Sequence, residues 1–129
     1  MLGNFQQSNL RIEVNASEKS IRDSLTESKH LEKWMWPQRF VSLPAKLSPG
    51  TRFTSFLGLL EIEHQVELLE DNRLRLLLSK SIDGYHEWTW GEGWLQSSLE
   101  GVSILPLNLG QTISLFRLRQ YLVANFSEN

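Results

Sequence analysis

The chain contains no cysteine, which excludes disulfides, thiolate metal sites and a cysteine nucleophile. The same absence suits a reducing compartment, and a cytoplasmic location is the expectation. There is no basic block either. Thirteen Lys and Arg stand against 15 Asp and Glu, a net charge of -2, so composition offers nothing to a nucleic-acid backbone. No apolar run approaches the roughly 18 residues a membrane span needs. Residues 1–7 lack a basic n-region and an apolar h-region, so no secretory signal is read there. Chemical motifs are sparse. Ser97, Ser98 and Ser103 lie in no Gly-x-Ser-x-Gly elbow, and no glycine-rich phosphate loop exists. Glu87, Glu92 and Glu100 form no pair that would support two-carboxylate chemistry. No cofactor is implied.

What is present fits one ordinary domain over residues 1–129, with residues 1–8 expected to be loosely ordered. The distinctive feature is five tryptophans, four of them in two Trp-x-Trp pairs, Trp34/Trp36 and Trp88/Trp90.

The periodicity changes along the chain. Asn9 to Asn15 alternates, with Leu10, Ile12 and Val14 on one face, as a half-buried strand does. Ser17 is placed to cap a short helix carrying Ile21 and Leu25, and Ser28 to cap a second, with Leu31, Trp34 and Met35 inward and Pro37 as its stop. Six hairpin-linked strands are then predicted: Arg39 to Leu43, Thr51 to Leu57, Leu60 to Leu68, Arg73 to Ser79, Tyr85 to Trp90, and Trp94 to about Val102. Their turns are Leu47–Gly50, Gly58, Glu70–Asn72, Ile82–Gly84 and Gly91–Gly93. Leu60, Ile62, His64, Val66 and Leu68 share one face, as do Leu74, Leu76 and Leu78, and His86, Trp88 and Trp90.

From Pro106 to Phe126 the period becomes helical. Pro106 suits a first turn, and Asn108 suits the cap of a slightly later start. Leu115, Leu118, Leu122 and Phe126 make an apolar stripe, which Ile113, Phe116 and Val123 widen. A helix apolar over so wide an arc is expected to be embraced by the rest of the chain. Short turns make the sheet antiparallel, and this helix is the element large enough to cover its apolar face.

That order of elements, the Trp-containing second helix ending at Pro37, and the turn bearing Leu47, Gly50 and Phe53 resemble the helix-grip superfamily. START-type lipid-transfer domains, pollen-allergen-like proteins and polyketide cyclase/dehydrase-like proteins belong to it, and the resemblance runs from Asn9 to Phe126. It implies an α+β fold in which a seven-stranded antiparallel sheet wraps a long C-terminal helix, with two short helices after the first strand. It also implies a cavity between sheet and helix that takes an apolar small molecule. No catalytic residue carries over.

The candidate site residues follow from register. His64 and His86 fall on apolar strand faces, either as core histidines or as polar groups in a cavity wall that change affinity between about pH 6 and 7. Two histidines fall short of a metal site, which needs three or more converging ligands. Arg119 lies within the apolar arc of the helix, where its guanidinium would grip an anionic ligand or its stem would merely pack; Arg117 is read as a surface charge. Trp88 and Trp90 are placed inside, and Trp36 at a cavity mouth. Three functions remain: a carrier or sensor for an apolar or amphipathic small molecule, neutral or anionic; a cyclase/dehydrase-like enzyme using His64, His86 or Glu87; and an interaction protein with a filled interior. Absence of a catalytic constellation favours the first over the second. The oligomeric state does not follow from the sequence.

Overall fold

In the computed structural model, which describes residues 3–126, the elements in chain order are β1 (Asn4–Glu13), α1 (Glu18–Thr26), α2 (Ser28–Trp34), β2 (Arg39–Val41), β3 (Arg52–Leu57), β4 (Leu60–Leu69), β5 (Arg73–Lys80), β6 (Ile82–Gly91), β7 (Trp94–Ser103) and α3 (Leu107–Phe126). All seven strands form one antiparallel sheet in the order β1-β7-β6-β5-β4-β3-β2. Alternation places Leu74, Leu76 and Leu78 of β5, Trp88 and Trp90 of β6, and Leu95 and Leu99 of β7 on the buried face. The opposite face carries ion pairs such as Arg73–Glu87 and Arg75–Glu67.

Two strands depart from the predicted pattern. In β4 the register shifts between Val66 and Leu68, so Leu68 pairs with outward Arg75 and Leu69 joins the core beside Leu74. One extra residue at a bulge inverts the alternation beyond it. β1 begins at Asn4, which corrects the expectation of a loose segment over residues 1–8 for residues 4–8; residues 1 and 2 lie outside the described residues. Its first half is polar because Gln6 serves the start of α3. Gln6 Oε1 accepts from the Leu107 amide at 2.9 Å, and Gln6 Nε2 donates to Leu105 O at 2.7 Å. This cross-chain cap satisfies a helix-terminal donor that its own turn cannot. Asn108, expected as a cap, donates instead to Ser8 Oγ at 2.8 Å.

The turns use different chemistry from one another. Gly93 has φ 77° in the two-residue hairpin between β6 and β7, a conformation glycine adopts without penalty. Between β5 and β6 the turn lies at Lys80 and Ser81, not at Ile82–Gly84, and Ile82 is buried. Gly84 sits in β6 directly opposite Gly101 of β7, where a Cβ on Gly84 would stand 1.9 Å from Glu100 O.

The two short helices form as their sequences indicate. Ser17 Oγ accepts from the Ser20 amide at 3.0 Å and caps α1, while Ile21 and Leu25 are buried. Ser28 is the first residue of α2 rather than its cap, which is Glu27.

α3 is gripped on one side. Leu107, Gln111, Leu115, Leu118 and Leu122 are buried, and the helix packs on β1 and β7 and on α1 and α2. Its apolar arc is wider than its buried face. Leu109, Ile113, Phe116 and Val123 are exposed, which corrects the expectation that Ile113, Phe116 and Val123 widen the embraced face.

Candidate functional site

Because α3 packs on the β1–β7 side of the sheet, space remains between the helix and the strands beyond. That space is a cavity of about 460 Å³. Its sheet wall is Phe53, Ile62, His64, Leu74, Leu76, Leu78, His86, Trp88 and Leu99. The opposite wall comes from α3, through Leu107, Gln111, Ser114 and Arg117, and from the stretch Trp34 to Gln38 that follows α2. The interior is therefore not filled by its tryptophans. Trp34 is held in the wall by its indole N–H, which donates to Ser24 O at 2.8 Å, and it meets Trp88 edge-on with ring centroids 6.2 Å apart.

The structure brings four of the six sequence-predicted residues to this cavity: His64, His86, Trp88 and Trp36. Trp36 lines the cavity and is 64% exposed. Trp90 is buried but lines the core elsewhere, and Arg119 is exposed away from the cavity. Arg119 follows the fully buried Leu118 by one residue, about 100° round the helix, which carries it past the edge of the gripped face. The arginine at the cavity is Arg117, on the other flank. Its Nε donates to Trp34 O at 2.8 Å, and its guanidinium carbon lies 6.0 Å from the Trp36 ring centre. Arg117 makes no ion pair among the described residues.

The two histidines are built alike. His64 Nε2 lies 2.8 Å from Ser55 Oγ, which accepts from Gln38 Nε2 at 2.7 Å; His86 Nε2 lies 2.6 Å from Ser97 Oγ, which accepts from Gln111 Nε2 at 2.9 Å. Each imidazole also rests on an aromatic ring. His64 stacks on Phe53 with centroids 4.6 Å apart and planes 6° apart, and His86 lies 4.5 Å from Trp88 at 33°. Burial disfavours the imidazolium at both. It pushes His64 down to about 4, and burial together with the nearby His64 pushes His86 down to about 3. Both are neutral at physiological pH, which corrects the expectation that they titrate between pH 6 and 7.

Sequence reasoning missed Gln38, Ser55, Ser97, Gln111 and Arg117. A usable signal existed for three of them. Ser55 lies between inward Phe53 and Leu57 registers, Ser97 between buried Leu95 and Leu99, and Gln111 between buried Leu107 and Leu115 four residues either side. A polar residue at an apolar register is buried with a partner or faces a cavity. Among the described residues no carboxylate lines the cavity, and no three of His, Asp and Glu gather as metal ligands. Glu87 lies on the outer face, paired with Arg73.

Comparison with protein-family models finds no match, and comparison with curated proteins finds none either. Solved structures do match. DynU16, a protein from the dynemicin biosynthetic locus, superposes with a TM-score of 0.71 at 16% identity over 93% of this chain; the chain spans about half of it (48%). The Aha1 dimer from Colwellia psychrerythraea matches with a TM-score of 0.69 at 14% identity over 91% of this chain and 96% of that one. Norcoclaurine synthase from Thalictrum flavum, in complex with dopamine and hydroxybenzaldehyde, matches at 0.67 and 12% identity over 98% and 91%. The chain has the helix-grip fold. No helix among the described residues is long and apolar enough to cross a membrane.

Proposed function

We propose that the protein binds an apolar or amphipathic small molecule between the sheet and α3, as a carrier or a sensor. The observation that carries this is the cavity of about 460 Å³, walled mainly by Leu, Ile, Phe and Trp and reached by few polar groups. An apolar enclosure of this size with a few convergent polar atoms is the ordinary form of a ligand site. Norcoclaurine synthase, with the same fold, holds dopamine and hydroxybenzaldehyde, which supports the reading by analogy.

The polar groups suggest how such a ligand lies. Arg117 and Trp36 stand together at the mouth, so an anionic end, if the ligand has one, is placed there against the guanidinium. The apolar body then extends toward Leu76, Leu78 and Leu99. The enzyme reading has less support. A general base needs a free lone pair facing the substrate; Nε2 of each histidine is engaged by a serine, and His64 Nδ1 is buried.

Titration with decanoate and with decanol, followed by tryptophan emission, tests the proposal. Trp34, Trp36 and Trp88 line the cavity, so saturable change with a micromolar midpoint is expected for at least one of the two. No saturable change with either compound, or with longer homologues of both, contradicts it.

A further inference from the structure

The Gln111 side chain settles the proton on His86. Its Nε2 lies 2.9 Å from Ser97 O, 3.2 Å from Ser8 O and 2.9 Å from Ser97 Oγ. Backbone carbonyls only accept, so the amide nitrogen must be the atom facing them, and since an amide nitrogen cannot accept, the Ser97 hydroxyl finds no acceptor there. Ser97 is fully buried, and the other neighbour of its hydroxyl is His86 Nε2 at 2.6 Å. If Nε2–H donated to Ser97, the serine's own proton would have no acceptor, at a cost a buried hydroxyl avoids. Ser97 therefore donates to Nε2, and the imidazole carries its hydrogen on Nδ1.

That Nδ1–H makes no hydrogen bond with the described residues. His86 lines the cavity and keeps part of its surface open to it. Around it the wall is apolar: Leu76 and Leu99 are its cross-strand neighbours, and the Trp88 ring is tilted against it. A neutral donor set among apolar side chains selects a neutral acceptor. A carboxylate there would lose its hydration with no cation beside it, and an ammonium group would present only donors to a donor.

We infer that the ligand carries an uncharged carbonyl oxygen within its apolar body, and that His86 Nδ1–H binds this oxygen, an inference that rests on the cavity being the binding site. The Gln111–Ser97 pair acts as a positioning relay: its hydrogen bonds engage Nε2 and so keep the donor hydrogen on Nδ1. The ligand class is thus a ketone, ester or amide with an apolar frame, with any charged end kept at the mouth.

The test uses two compounds of nearly equal shape, 1-acetylnaphthalene and 1-ethylnaphthalene, titrated against the wild type and His86→Phe with tryptophan emission as the readout. The ratio of ketone to hydrocarbon affinity is expected to fall about fivefold or more in His86→Phe, the loss of one buried hydrogen bond. Equal ratios in the two proteins, with both compounds bound, overturn the inference and leave the cavity reading intact. Binding of neither compound by the wild type overturns both. Should His86→Phe fail to fold, long-range proton–nitrogen NMR of the wild type at pH 7 decides. A protonated Nδ1 on His86 that shifts with the ketone and not with the hydrocarbon is expected; a protonated Nε2, or no selective shift, overturns the inference.

Discussion

Arg117 Nε donates to the Trp34 carbonyl across 2.8 Å, and this bond ties α3 to the end of α2 beside the cavity mouth. It holds the guanidinium near Trp36, where an entering ligand would pass. Arg119, two residues on, makes no such contact and is exposed. Decanoate affinity is therefore expected to fall about fivefold or more in Arg117→Met and to stay within about twofold in Arg119→Met, the range of one charge-assisted hydrogen bond. Parallel titrations by tryptophan emission check this. Loss of binding in Arg119→Met alone would restore the assignment made from sequence.

The histidines make stability depend on pH. Both have a folded-state pKa below the unfolded 6.5, about 4 for His64 and about 3 for His86, so the unfolded chain binds more protons between those limits. Stability is then constant above about pH 7 and falls as pH drops through 6.5 toward 4. At pH 5 each histidine costs about 2 kcal/mol relative to pH 7, since one pKa unit is about 1.4 kcal/mol. Urea midpoints at pH 7, 6 and 5 measure the fall, and His86→Gln should show a shallower one. A flat profile across that range contradicts the burial of both rings.

The gripped face of α3 predicts a sharp contrast. Leu118 and Leu122 are fully buried, so Leu118→Ala or Leu122→Ala should lower stability by about 2–5 kcal/mol. Phe116 is 62% exposed, and Phe116→Ala should change it by less than about 0.5 kcal/mol. Comparable losses at Phe116 and Leu118 in urea melts would mean that the outer face is covered.

Gly84 and Gly101 let β6 and β7 approach closely. A Cβ at Gly84 meets the backbone of Glu100 and Gly101, which cannot swing aside as a side chain can. Gly84→Ala is expected to lose about 1–3 kcal/mol, the usual cost of overpacking. A melting temperature equal to that of the wild type would contradict this packing.

These elements also show what the sequence made legible. Alternation read the faces of β5 and β6 correctly because each strand has one wall in the core and one in water, and Leu74, Leu76 and Leu78 could occupy no other register. The same logic failed past Val66, because a bulge leaves no mark in a pattern of period two. The first half of β1 went unread because Gln6 and Ser8 are polar on the inner face, where they serve α3 rather than fill a core. The helical wheel showed an apolar arc but not its gripped edge. Arg117 and Arg119 flank that arc, and only the position of α2 decides which one meets the cavity. His64 and His86 were visible as polar residues in apolar registers. Their serine partners lie on the adjacent strands β3 and β7, but the glutamines that orient those serines come from the stretch before β2 and from α3, so their protonation could not be read from spacing.

On the proposed function, a ligand enters the space between sheet and helix. Isotope-filtered NOE measurement on methyl-labelled protein with bound dodecanol tests it directly, because the exposed apolar residues on the outer side of α3 offer the obvious alternative. NOEs from the alkyl chain to the methyls of Leu76, Leu78 and Leu99 are the predicted result. NOEs confined to Val123 and the Phe116 ring, with none to the three leucines, would contradict the account.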